Sequence, residues 1–124
     1  MRRLASRSPG IGAEGVQVTL RIDSLPDTAL EAAAEFGTRH VPTARGHAGQ
    51  GGDVAIVLPA ASYDHADWRR AAARDLARDC APQRVNIVAG DDGAAVASAL
   101  AYLENAPGVT GQYLPLAGAG RFDG

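Results

Sequence analysis

The chain has 124 residues, long enough for one hydrophobic core but not two, and its 46% hydrophobic and 21% charged content is ordinary for a globular domain. A formal net charge of -2 provides no basic field for a polyphosphate backbone, which argues against nucleic acid as a partner. All twelve basic residues are Arg, so Schiff-base chemistry, a phosphate-loop lysine and a lysine-assisted tyrosine are excluded from these residues.

Residues 1–15 show no periodicity and read as a loose arm, and 119–124 as a flexible tail, leaving one domain over 16–118. Arg2, Arg3 and Arg7 are not followed by an apolar segment, so they do not announce a secretory signal. Val16–Ile22 alternates apolar and polar residues, which predicts a strand with Val16, Val18, Leu20 and Ile22 on its buried side. Thr28 and Glu31 have capping-box spacing and open a helix. That helix is expected to end near His40, because Pro42 disfavours helical backbone at Val41, and 43–52 reads as a Gly-rich connection.

Asp53–Pro59 contains Val-Ala-Ile-Val-Leu, an uninterrupted apolar run typical of a strand covered on both faces. A helix from about Asp64 to Cys80 follows, with Trp68, Ala72, Leu76 and Cys80 as its core stripe and Pro82 as its stop. Val85–Val88 is a short buried strand. Asp91 or Asp92 caps a third helix, whose inner face carries Val96, Ala99, Leu100 and Leu103, and Thr110–Leu116 closes the series. The β-α-β-α-β-α-β order predicts an α/β fold: a truncated Rossmann-like domain of about four mainly parallel strands and three crossover helices. Right-handed crossovers stepping one way place all three helices on one face. The middle strands are apolar on both faces, so either the strand order reverses or a second chain covers the bare face. The second chain is the preferred expectation.

The second half carries a more specific pattern. Arg74-Asp-Leu-Ala-Arg-Asp-Cys-Ala-Pro82 leads to Arg84-Val-Asn-Ile-Val-Ala-Gly90, and Val109-Thr-Gly-Gln112 to Leu114-Pro-Leu-Ala-Gly118. From His40 onward, roughly two-thirds of the chain, this resembles the C-terminal half of the short-chain dehydrogenase/reductase family. The resemblance implies a helix before an Arg-Val-Asn strand, then a closing helix and a Thr-Gly-Gln strand. It also implies subunit contacts through the surfaces that match Asp64–Cys80 and Val96–Leu116. Trp68, Ala72, Leu76, Leu100, Leu103 and Tyr113 are therefore the interface candidates.

The family's working parts are missing from these residues. Gly10-Ile-Gly12-Ala-Glu-Gly15 spells a G-x-G-x-x-G, but a strand rather than a helix follows it, so no helix N-terminus supplies amides to a phosphate. The family's Tyr-x-x-x-Lys has no counterpart, since Tyr63 is followed four residues later by Asp67. An anion beside a phenol raises its pKa, against the needs of a hydride-transfer acid. The Pro-Gly after the Arg-Val-Asn strand is Ala89-Gly90 here.

Other candidates have a functional and a structural reading. Tyr63, Asp64 and His65, with Ser62 and Asp67, follow the second strand at the end where α/β ligand sites lie, and His65 suits a general base. The same residues suit a helix cap with an exposed His. Asp91 and Asp92 hold the equivalent place after the third strand, as ligand contacts or as caps. Arg70, Arg74 and Arg78 form a helix-side ladder whose charge is cancelled by Asp67, Asp75 and Asp79. The lone Cys80 excludes an internal disulfide and reads as a small buried hydrophobe. For Asn86, in the Arg-Val-Asn segment, the family resemblance implies a structural hydrogen bond.

The expectation is a non-catalytic, reductase-like subunit or interaction module, a pseudoenzyme acting as a homodimer or beside a full-length reductase. It takes no cofactor and no metal, contacts neither nucleic acid nor membrane, and is cytoplasmic. It is not a self-sufficient NAD(P)-dependent reductase. The alternative is a small acid-base enzyme or ligand-binding protein that uses the strand ends near Tyr63/His65 and Asp91/Asp92.

Overall fold

In the computed structural model, residues 16–116 are described, so the arm at 1–15 with its glycine motif and the tail at 119–124 lie outside the described residues. Four parallel strands, β1 (Gln17–Arg21), β2 (Asp53–Leu58), β3 (Val85–Ala89) and β4 (Tyr113–Pro115), lie side by side in sequence order. The register aligns Leu20 with Ile56, Ile56 with Ile87, and Ile87 with Tyr113. This is a Rossmann-like α/β arrangement with three helical crossovers. Val16, assigned above to the buried side, is 52% exposed; it only lends its carbonyl to Asp53 N–H at 3.0 Å.

The first crossover departs from the sequence expectation. Thr28 caps α1 (Ala29–Glu35) by accepting the Glu31 amide, as the spacing predicts. The helical path then does not stop at His40. It widens into a π-turn over Phe36–His40, in which Val41 N–H donates to Phe36 O, and continues as α2 (Val41–Gly49) with Pro42 in its first turn. A proline ring collides with the carbonyl four residues back in a regular α-helix, and the extra residue of the π-turn removes that conflict. Val41 therefore keeps helical angles, φ -60 and ψ -44, despite the proline after it. The helix ends at Gly49, and two residues on Gly51 takes φ 96, a left-handed conformation suited to glycine.

The remaining crossovers are α3 (Ala66–Cys80), entered through a short 3₁₀ turn at Tyr63–His65, and α4 (Gly93–Glu104), capped by Asp92 through Ala94 N–H at 3.0 Å. The buried stripe of α3 is Arg69, Ala73 and Leu76. Trp68, Ala72 and Cys80 flank it, half-buried. A strict spacing of four drifts around a helix of 3.6 residues per turn, so the stripe read from Trp68 follows the edge of the core, while the fully buried one begins at Arg69.

Helices α1 to α3 cover one face of the sheet, against Val54, Ile56, Leu58, Val85 and Ile87. Helix α4 packs on the other face, where Leu103 meets Ala55 and Val88 and is flanked by Leu100, Leu114 and Leu116. The third step continues in the same direction with its helix on the opposite side, so its hand is opposite to that of the first two. This corrects the expectation above: the strand order does not reverse, and the chain's own α4 covers the second face where a partner was expected.

Cys80 closes α3 half-buried. Burial, then the neighbouring Asp79 carboxylate, raise its thiol pKa above the ordinary value, against a smaller opposing effect of Arg45. A raised pKa leaves less thiolate at any given pH. Iodoacetamide should therefore alkylate Cys80 several-fold more slowly at pH 8 in the folded chain than in denaturant, as read by intact mass.

Candidate functional site

The C-terminal ends of β1 and β2 frame a polar cavity of about 230 Å³ lined by Leu25–Asp27, Pro59–Ser62, His65 and Arg69. Ligand sites of α/β proteins lie outside the carboxyl ends of the strands, and the cavity is at that end, although the loops after β1 and β2 both lead to helices on one face of the sheet. Of the cluster read from the sequence, Ser62 and His65 line it, and Tyr63, Asp64 and Asp67 do not. Tyr63 is 67% exposed and points away from the core. Asp64 is exposed, and the Ser62 hydroxyl donates to its carboxylate, which holds the carboxyl below the usual range.

His65 is buried, 4% exposed, against the expectation of an exposed ring. The Trp68 indole N–H lies 3.1 Å from its Nδ1, and the Asp27 carbonyl 3.0 Å from its Nε2. An indole N–H can only donate, so Nδ1 accepts, and the ring proton sits on Nε2 and donates to Asp27 O. Both nitrogens are thereby occupied in holding the β1–α1 loop to α3. That is a structural histidine, not a base with a free lone pair.

The two aspartates after β3 also have defined tasks. Asp92 caps α4, and Asp91 accepts the Ala60 N–H at 3.2 Å, tying the β2 loop to the β3 loop. Gly90 packs where an added Cβ would lie 3.1 Å from the Leu116 side chain. Among the described residues, no three His, Cys, Asp or Glu side chains come together as a metal site. None of the described helices is long and apolar enough to cross a membrane.

The Arg-Val-Asn tripeptide is a staple. Arg84 pairs with Asp53 at 3.0 Å while its Nη1 reaches the Leu103 and Ala106 carbonyls at 2.8 and 2.7 Å. Asn86 donates to Val109 O and accepts the Gln112 amide, both at 3.0 Å, fixing the turn into β4. In that turn Gly111 takes φ 77 and passes within 3.3 Å, measured from an ideal Cβ, of the Ala77 side chain. The structural hydrogen bond expected of Asn86 is thus a pair.

The arginine ladder is largely neutralised, with Arg70 on Asp67, Arg78 on Asp75, and Asp79 held across helices by Arg45 at 2.6 Å. Such exposed pairs add little stability. Among the interface candidates, Leu76 and Leu103 lie in the chain's own core, with 4% and 0% exposed, and offer no surface. Trp68, Ala72, Leu100 and Tyr113 are half-exposed. Trp68 and Ala72 line an apolar groove of about 320 Å³ between α1–α2 and α3, beside Phe36, Gly37 and Ala71.

Sequence reasoning missed Arg69. It is 1% exposed, donates through Nη1 to Pro59 O at 3.0 Å, and lies between the rings of Trp68 and Tyr113 at 5.4 and 6.0 Å. The signal was its spacing, four residues before Ala73 and seven before Leu76 on the buried stripe. An arginine on an apolar stripe is easily taken for an edge residue that reaches solvent.

Comparison with known proteins bears on the whole domain. No curated protein matches the chain. Nor does any solved structure. The family described as short chain dehydrogenase-like protein matches residues 20–116, which takes in all of β2, β3 and β4, every helix and the Arg-Val-Asn and Thr-Gly-Gln segments. The chain belongs to this short chain dehydrogenase-like family.

Proposed function

We infer that the chain is a non-catalytic, reductase-like interaction module that works by self-association or by pairing with a full-length reductase. The observation that carries this reading is the groove between α1–α2 and α3. Its floor is apolar, its rim holds the Arg45–Asp79 pair, and the residues at its surface are small: Ala33, Gly37, Ala71 and Ala72. Small residues let helix backbones approach closely, and an apolar centre with a charged rim is the usual anatomy of a protein contact. The chemistry of the strand ends supports the same reading. His65 is engaged at both nitrogens, and the place four residues beyond Tyr63 holds Asp67.

Gly37 offers a clean test, because an added Cβ there meets nothing within 4 Å. Gly37→Glu should leave the isolated fold intact and improve helix propensity, by up to about 1 kcal/mol. In a dimer packed through the groove, the same side chain must bury a charge or push the helices apart. Light scattering after size exclusion should show a dimer for the parent chain. The variant should dissociate at least about tenfold more readily, equivalent to about 1.4 kcal/mol. A parent chain that stays monomeric at every concentration, and does not bind a full-length reductase, would reject the reading.

A further inference from the structure

We propose that the cavity at the C-terminal ends of β1 and β2 binds a small monocarboxylate, with the Arg69 guanidinium as its anchor. Arg69 forms part of the cavity wall. It is 1% exposed, yet among the described residues no carboxylate pairs with it. Its Nη1 donates to Pro59 O at 3.0 Å and to the Tyr113 hydroxyl at 3.4 Å, and two aromatic rings flank it. Those partners are dipoles and π faces and leave a whole positive charge uncompensated in a place where charges are normally paired. The Nε–H, also buried, finds no acceptor among the described residues. An oxyanion seated on the Nε side of the guanidinium answers both deficits.

The chemistry narrows the ligand. One planar guanidinium offers two parallel N–H donors, which match the two oxygens of a carboxylate. At about 230 Å³ the cavity admits only a small acid. Asp27 also lines it, so a second negative charge on the ligand would be repelled, which favours a monoanion. The nearby Asp64 and Asp91 carboxylates are taken by the Ser62 hydroxyl and the Ala60 amide. Nε has no open surface in this conformation, so a ligand that reaches it must displace part of the cavity lining. This site shares no residue with the helix groove, so it stands independently of self-association.

The test is a titration of the ¹⁵N-labelled full chain with sodium propionate, following the Arg69 Nε–H resonance. Sodium chloride at equal ionic strength and inorganic phosphate serve as the comparison arms. Propionate should give a saturable shift, chloride none, and phosphate binding at least about tenfold weaker. Arg69→Gln should abolish the saturable response. Because that variant risks the fold, Ala61→Leu provides a second arm: it fills the cavity from its rim, leaves Arg69 in place, and should weaken propionate at least about tenfold with the remaining spectrum unchanged. No saturable shift in the parent chain, phosphate binding as tightly as propionate, or undiminished binding in folded Ala61→Leu or Arg69→Gln would each overturn the proposal.

Discussion

Asp53→Ala should destabilise the chain by about 3–5 kcal/mol, the range for removing one partner of a buried ion pair. Asp53 and Arg84 leave only 11% of each side chain accessible, and Asp53 accepts from both the Arg84 amide at 2.8 Å and its Nε at 3.0 Å. Without the carboxylate, a guanidinium remains buried at the start of two central strands. Small domains have about 5–15 kcal/mol in total, and this core is poor in aromatic residues, 5% of the sequence. Urea unfolding followed by circular dichroism should show the loss as a lower midpoint. Replacing both partners, as Asp53→Ala with Arg84→Met, should recover only part of it. Arg84 Nη1 also satisfies the Leu103 and Ala106 carbonyls at the end of α4, which the double variant leaves bare. Near-complete recovery in the double variant would mean that the staple to α4 contributes little.

Leu103→Ala should cost about 2–5 kcal/mol, and it belongs in the upper part of that range. Leu103 is the large, fully buried side chain in the cluster that fastens α4 to the sheet. Its neighbours there include Ala55 and Ala99, which cannot expand to fill a hole. The cost of truncation grows with the cavity that remains, and small rigid neighbours leave most of it open. Hydrogen exchange adds a regional signature. Amides of α4 should lose protection first, while those of β2, buried on one face through Ile56 and on the other through Ala55, should lose it only with global unfolding. Equal loss of protection across both faces would show that the two clusters unfold as one unit.

Much of the architecture is written locally. The uninterrupted apolar runs of β2 and β3 specify strands covered on both sides. The Thr28 and Asp92 caps mark helix starts in a few residues. The Arg-Val-Asn and Thr-Gly-Gln segments carry the family, and a sequence without lysine leaves no place for Tyr-x-x-x-Lys. These are short-range properties, set by side-chain period, capping chemistry and residue type.

Tertiary structure decided the rest, because the deciding contacts join residues far apart in the chain. Pro42 reads as a stop in any short window, and it becomes part of a helix only because a π-turn precedes it and Ala44 and Ala48 bury against the sheet. The face that α4 takes is set by Leu103 on Val88 and by Arg84 on the Leu103 carbonyl, a contact spanning 19 residues. The usual hand of a crossover predicts the other face. His65 became structural through Asp27, 38 positions away, and Arg69 became a buried cation through Tyr113, 44 positions away. Periodicity reports that a residue faces inward. What it meets there is chosen by elements that only the folded sheet brings together.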